Sequence, residues 1–255
     1  MLMFVKVVAC YSLFAVVFVE SVYVKDLLKE NFETYDKYER PNYGERVNVT
    51  ITAFIADADL VKETYDYLYM DMNLYFRESW NDPRLQFVTW IREDDLLGGE
   101  EVIKEIWKPD TFFPNTLSVR TNKEPNPEVF VRINRNGDVL LNRKLTASVK
   151  CQQELKAFPC DTQTCLLEIE SYGSNMNSIA YTGKSVYFSS LLRIPHFEVK
   201  GASFEDKSIH LSTGEYSRSI IKMKLKRKIN PKIEKPSFYK LMLDELENTN
   251  CTEVE

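Results

Sequence analysis

Val24, Leu27, Leu28, Phe32 and Tyr35 recur at three- and four-residue intervals. That is the spacing of one helical face, so a short amphipathic helix is predicted to open the mature chain. Arg40-Pro41-Asn42-Tyr43-Gly44 is a turn cluster, and beyond it the period falls to two. Val47, Val49, Ile51, Ala53 and Ile55 alternate with polar or small residues, the signature of a half-buried strand. In the next strand Leu68, Met70, Met72, Leu74 and Phe76 make one face, and Tyr67, Tyr69, Asp71, Asn73, Tyr75 and Arg77 the other. A third strand runs from Val129 to Ile133, and Asn136-Gly137 is a hairpin signal. The returning strand sets Val139, Leu141, Leu145 and Ala147 against Leu140, Asn142, Lys144, Thr146 and Ser148. Further strands are expected near 165–172, 186–200 and 218–227. Many short strands separated by turns predict an all-β fold, an immunoglobulin-like, Greek-key β-sandwich with a short N-terminal α-helix.

The ends read differently. Lys6 precedes an apolar run from Val7 to Val19 that only Ser12 interrupts. Thirteen residues are too few to span a bilayer but suit a secretory signal, with cleavage expected near Ser21. No other apolar run approaches the eighteen or so residues of a membrane span. Lys226 to Lys235 is basic and proline-punctuated, and Tyr239, Met242, Leu243 and Leu246 then share a helical face. The expected organisation is a signal peptide over 1–21, one domain over 22–228, and a linker with a short amphipathic tail over 229–255. The Asn48-Val49-Thr50 and Asn250-Cys251-Thr252 sequons fit export, with Asn48 and Asn250 as glycosylation acceptors.

Composition excludes several classes. A net charge of −5 argues against a nucleic-acid partner. Eight glycines argue against a glycine-rich cofactor fold. No nucleophile elbow, phosphate-cradling loop or metal-ligand spacing occurs, so neither an enzyme nor a cofactor or metal is expected. The two histidines, His196 and His210, read as surface or core residues.

Cys151 and Cys165 bracket thirteen residues containing Phe158-Pro159-Cys160-Asp161 and Gln163. By spacing alone they could close an ordinary stabilising disulfide, worth roughly 3 kcal/mol. The interior of the stretch resembles the signature loop of the Cys-loop receptors, the pentameric neurotransmitter-gated ion channels. Five further segments resemble that family in the same order: Tyr75-Phe76-Arg77-Glu78-Ser79-Trp80-Asn81-Asp82-Pro83-Arg84-Leu85, Ile106-Trp107-Lys108-Pro109-Asp110-Thr111-Phe112-Phe113, Asn136-Gly137 to Leu145, Glu170-Ser171-Tyr172-Gly173, and Ser212-Thr213-Gly214-Glu215-Tyr216-Ser217-Arg218. The resemblance covers roughly 24–228 and points to the anion-selective branch, the receptors for γ-aminobutyrate, glycine and glutamate. No vicinal cysteine pair lies near Tyr216.

The resemblance implies a Cys151–Cys165 disulfide, and a coupling loop of Phe158, Pro159 and Asp161 in which a cis proline turn is possible. Cys160 departs from the pattern, and pairing with Cys251, a free thiol and a bond between chains all remain open. The resemblance also implies a pentamer, of identical or related subunits, with a small amino-acid or amine transmitter bound between neighbours. Membrane contact would come through full-length partner subunits or a C-terminal region beyond these residues. The chain would be secreted or lie on the outer face of the plasma membrane. Tyr75, Arg77, Asn142 and Lys144 match the complementary side of the site. Phe112, Glu170, Ser171, Tyr172, Thr213 and Tyr216 match the principal side. The chemistry agrees, since a zwitterion needs an aromatic box for its ammonium and a basic clamp for its carboxylate. Leu211, Ser174, Tyr181-Thr182-Gly183 and Lys144 depart from the family pattern and imply a weakened or altered ligand preference. The alternative is a truncated subunit that binds no ligand and co-assembles with, or sequesters, full-length receptor subunits.

Overall fold

In the computed structural model, residues 34–87, 95–121 and 126–228 are described. The predicted signal peptide, all of the opening helix but Tyr35, the tail, Asn250 and Cys251 lie outside them. Eleven strands form two sheets among the described residues. They are β1 (Val47–Glu63), β2 (Tyr67–Asn81), β3 (Asp95–Gly98), β4 (Thr111–Phe112), β5 (Thr116–Thr121), β6 (Val129–Asn134), β7 (Asp138–Gln152), β8 (Thr162–Ser171), β9 (Ile179–Phe188), β10 (Phe197–Leu211) and β11 (Gly214–Arg227). A six-residue helix, α1 (Glu100–Glu105), follows β3. The larger sheet runs β3-β6-β7-β2-β1-β9, with β5 also paired to β7, and the smaller runs β10-β11-β8-β4. The fold is the expected all-β sandwich.

The core lies between the sheets. Leu68, Met70, Met72, Leu74 and Phe76 of β2 meet Leu167 and Ile169 of β8 and Ile221, Met223 and Leu225 of β11 in one buried cluster. All are the inward positions that alternation predicts. The Trp80-to-Leu85 motif is an architectural element. Asp82 is fully buried and caps a single 3₁₀ turn, accepting from the Arg84 amide at 3.1 Å, with Pro83 supplying a preset φ. Tyr35 donates to the same carboxylate at 2.6 Å.

Three expectations need correcting. The strand expected over 186–200 is instead the end of β9 and the start of β10, separated by residues 189–196. Pro195 has no amide to donate to a ladder, and His196 sits at φ +65°, so pairing cannot continue through them. The strand expected near 165–172 starts earlier, at Thr162, and the one near 218–227 begins at Gly214. The alternation predicted from Val47 to Ile55 is observed, with all five inward residues buried, and the period changes only beyond Ile55. Register shifts at Ile55/Asp57 and Leu60/Lys62 move the core face onto Ala58 and Leu60, then back so that Glu63 lies opposite Leu68. The short elements β3, β4, β5 and α1 were not foreseen, because two to six residues carry too little periodic signal.

Candidate functional site

The outward face of the larger sheet assembles one group of candidates. In the β2–β7 ladder Tyr75 pairs with Lys144 and Arg77 with Asn142, so the four are mutual neighbours. The Arg77 Nε donates to Asn142 Oδ1 at 3.0 Å. Its two terminal nitrogens have no partner among the described residues, leaving a planar cationic fork directed outward. Lys144 is differently placed. Its ammonium lies 2.7 Å from Glu128 Oε1 and 5.9 Å from the centre of the Tyr75 ring. The hydrogen bond to Glu128 raises its pKa above the ordinary lysine value. Phe54 flanks Tyr75 at 6.3 Å, and Phe130, partly exposed, stands opposite Asn142.

The second group occupies the outward side of the smaller sheet. Phe112 and Tyr172 meet edge to face at 5.3 Å. Tyr172 is 78% exposed. Tyr216 donates to Thr213 Oγ1 at 3.0 Å within the β10–β11 hairpin. The other two candidates are already engaged. Glu170 is buried and accepts from Arg218 Nε at 2.6 Å, and Arg218 also pairs with Glu168. Ser171 is buried and donates to Asp110 Oδ1 at 2.5 Å. The remaining Asp110 oxygen receives the Gly173 amide at 2.7 Å, which shapes the turn that presents Tyr172.

A buried cluster joins the two groups from inside. Glu78, wholly buried, receives Thr111 Oγ1 from β4 and a guanidinium N–H of Arg143 from β7. Thr111 also shares a 2.7 Å hydrogen bond with the hydroxyl of Tyr181 on β9. Burial first, and then the charge of Glu78, push the Tyr181 hydroxyl far above its ordinary pKa. Because Thr111 points inward, its neighbour Phe112 points outward. The same alternation puts Phe76 and Glu78 inside and Tyr75 and Arg77 outside. The two candidate groups therefore face away from each other across the core.

At the other end of the sandwich, Cys151 and Cys165 are disulfide-bonded with Cα atoms 5.1 Å apart. The Phe158–Pro159 bond is cis. Cys160 is buried and is itself disulfide-bonded, so the free-thiol possibility is removed; its partner lies outside the described residues. Asp161 is not displayed at the surface. It is buried against Arg227, which also reaches Glu63 and Gln153 at 2.6 and 2.8 Å and lies over the Phe197 ring at 4.6 Å. Asn48 is exposed on the outward side of β1.

A profile of the neurotransmitter-gated ion-channel ligand binding domain matches residues 24–231. The chain belongs to this family. Its members bind neurotransmitters, assemble as pentamers of related subunits, and use this extracellular domain for recognition rather than catalysis. Within the family frame, period-two reading located the outward positions of β2 and β7 but missed the charges that engage them. Glu128, Glu168 and Arg218 were legible as charged residues. Arg218 shares a strand face with Tyr216, and Glu168 with Glu170, so alternation plus the β8–β11 register would have paired them. No sequence signal paired Glu78 with Arg143 and Thr111, or Asp161 with Arg227.

Proposed function

We propose that this domain holds a small amino-acid or amine transmitter between two copies or two related subunits. The principal face of one would contribute Phe112, Tyr172, Thr213 and Tyr216, and the complementary face of the next Tyr75 and Arg77, with the buried Asn142 orienting the Arg77 guanidinium. The observation that carries this reading is the opposed placement of the two groups. Each lies on an outward face of a different sheet with the packed core between, so a ligand touching both needs a second subunit. The Arg77 fork is the carboxylate-binding element, and the aromatic cluster receives the ammonium. Glu170 and Ser171 act indirectly on this reading: Glu170 orients Arg218, and Ser171 holds the Asp110 turn under Tyr172. In a full-length subunit the domain would gate a chloride-conducting pore. Export by the N-terminal signal and a glycan on Asn48 belong to the same proposal.

Isothermal titration of the assembled protein with γ-aminobutyrate, glycine, glutamate, histamine and acetylcholine tests this. Arg77→Gln should abolish binding of carboxylate ligands while the unliganded protein keeps its melting temperature. Binding that survives both Arg77→Gln and Tyr172→Ala would overturn the site. Failure of every ligand, with copies or related subunits still associating in pull-downs, would instead support the co-assembling, ligand-free subunit.

A further inference from the structure

Arg77 and Lys144 on the complementary face are cations of unlike status, and this bears on which ligands the face accepts; the inference rests on the interface-site reading above. Arg77 gives only its Nε to Asn142, whereas Lys144 is held by Glu128 through two contacts. One is the 2.7 Å ion pair. The other is the Lys144 backbone amide, which donates to the Glu128 carbonyl at 3.0 Å. Glu128 immediately precedes β6, so pairing of β6 with β7 sets its position relative to Lys144. The pair is half-buried, at 34% and 35% side-chain exposure, and a covering neighbour would desolvate it further. A ligand carboxylate approaching Lys144 must either displace the Glu128 carboxylate or lie beside it, and like charges at such separations repel.

We propose that Glu128 is a specificity-determining residue: by occupying Lys144 it leaves Arg77 as the single carboxylate receptor, so the site takes zwitterions with one carboxylate and rejects dicarboxylates. Lys144 then contributes through its position near Tyr75 and not by clamping the ligand.

The test uses two ligands that differ by one carboxylate, γ-aminobutyrate and L-glutamate, titrated into the assembled wild type, Glu128→Gln, Lys144→Met and the Glu128→Gln/Lys144→Met double variant. The wild type is expected to prefer γ-aminobutyrate. Glu128→Gln frees the ammonium and should improve glutamate affinity about threefold to fivefold, with less than about a twofold change for γ-aminobutyrate. The gain should vanish in the double variant, because the cycle isolates the Lys144 contribution. Lys144→Met alone should weaken glutamate binding and never improve it, because the Glu128 carboxylate then loses its lysine partner and repels the ligand. A wild type that prefers glutamate, an unaltered ratio in Glu128→Gln, or a gain that persists without Lys144 would each overturn the assignment while leaving the interface site intact. Loss of both ligands in wild type sinks the underlying reading and this inference with it. Melting temperatures of the unliganded variants, expected to match wild type, separate a specificity change from misfolding.

Discussion

Arg227→Met removes a cation from the least exposed ion cluster among the described residues. The Arg227 side chain is 2% exposed, Glu63 3% and Asp161 1%. The guanidinium donates to Asp161 at 2.7 and 2.9 Å, to Glu63 at 2.6 Å and to Gln153 at 2.8 Å. Burial lowers the arginine pKa, but the hydrogen bonds the guanidinium donates to Asp161 and the charge of Glu63 outweigh it, and the net direction is upward. Methionine keeps apolar contact with Phe158 and Phe197, which now lie 5.3 and 4.6 Å from the guanidinium carbon. The loss is then chiefly electrostatic: two carboxylates stay in the interior without the guanidinium that faces both, Glu63 keeping its 3.2 Å contact with the His196 ring. Breaking a buried pair from one side costs about 3–5 kcal/mol, a large share of the roughly 5–15 kcal/mol that holds a domain together. Equilibrium urea unfolding should show the midpoint falling with little change in slope. The triple variant Arg227→Met/Asp161→Asn/Glu63→Gln should recover much of the loss, since neutral amides remove the stranded charges. A cost under about 1 kcal/mol for Arg227→Met, or no recovery in the triple variant, would refute the assignment of this cluster as an interlocked buried charge network.

Further outcomes follow from single positions. Gly137 has φ +78°, and a Cβ there would come within 2.3 Å of the Asp82 carbonyl oxygen, so Gly137→Ala should cost about 2 kcal/mol or more in the same unfolding assay. Tyr35 and Tyr181 are held far above their ordinary pKa of 10.0, in both cases mainly by burial. With the folded pKa above the unfolded one, their contribution is complete below about pH 10 and is lost as pH rises beyond it. Tyr35→Phe and Tyr181→Phe should therefore flatten the decline of stability across the alkaline range, and an unchanged slope in either variant would contradict the burial argument. Replacing Cys151 and Cys165 together by serine should destabilise the domain by about 3 kcal/mol through release of the small ring, read as a lower urea midpoint under non-reducing conditions.

The site was legible where it depended on strand direction alone. Side chains in a strand point alternately to opposite faces, whatever the strand packs against. That local rule put Tyr75 and Arg77 opposite Leu74 and Phe76, and Asn142 and Lys144 opposite Leu141 and Leu145, before any tertiary contact was known. Likewise the cysteine ring and the Asn136-Gly137 hairpin are short-range features. Which charge meets which was not legible. Lys144 finds Glu128 across a strand pair, Arg218 finds Glu168 and Glu170 through the β8–β11 register, and Arg227 reaches Glu63 from 164 residues away. Glu63 faces the core only because two bulges in β1 shift the alternation twice. Ion partners are chosen by where separate strands land relative to one another. That placement comes from burying the whole core at once, and the order of residues along any one strand does not contain it.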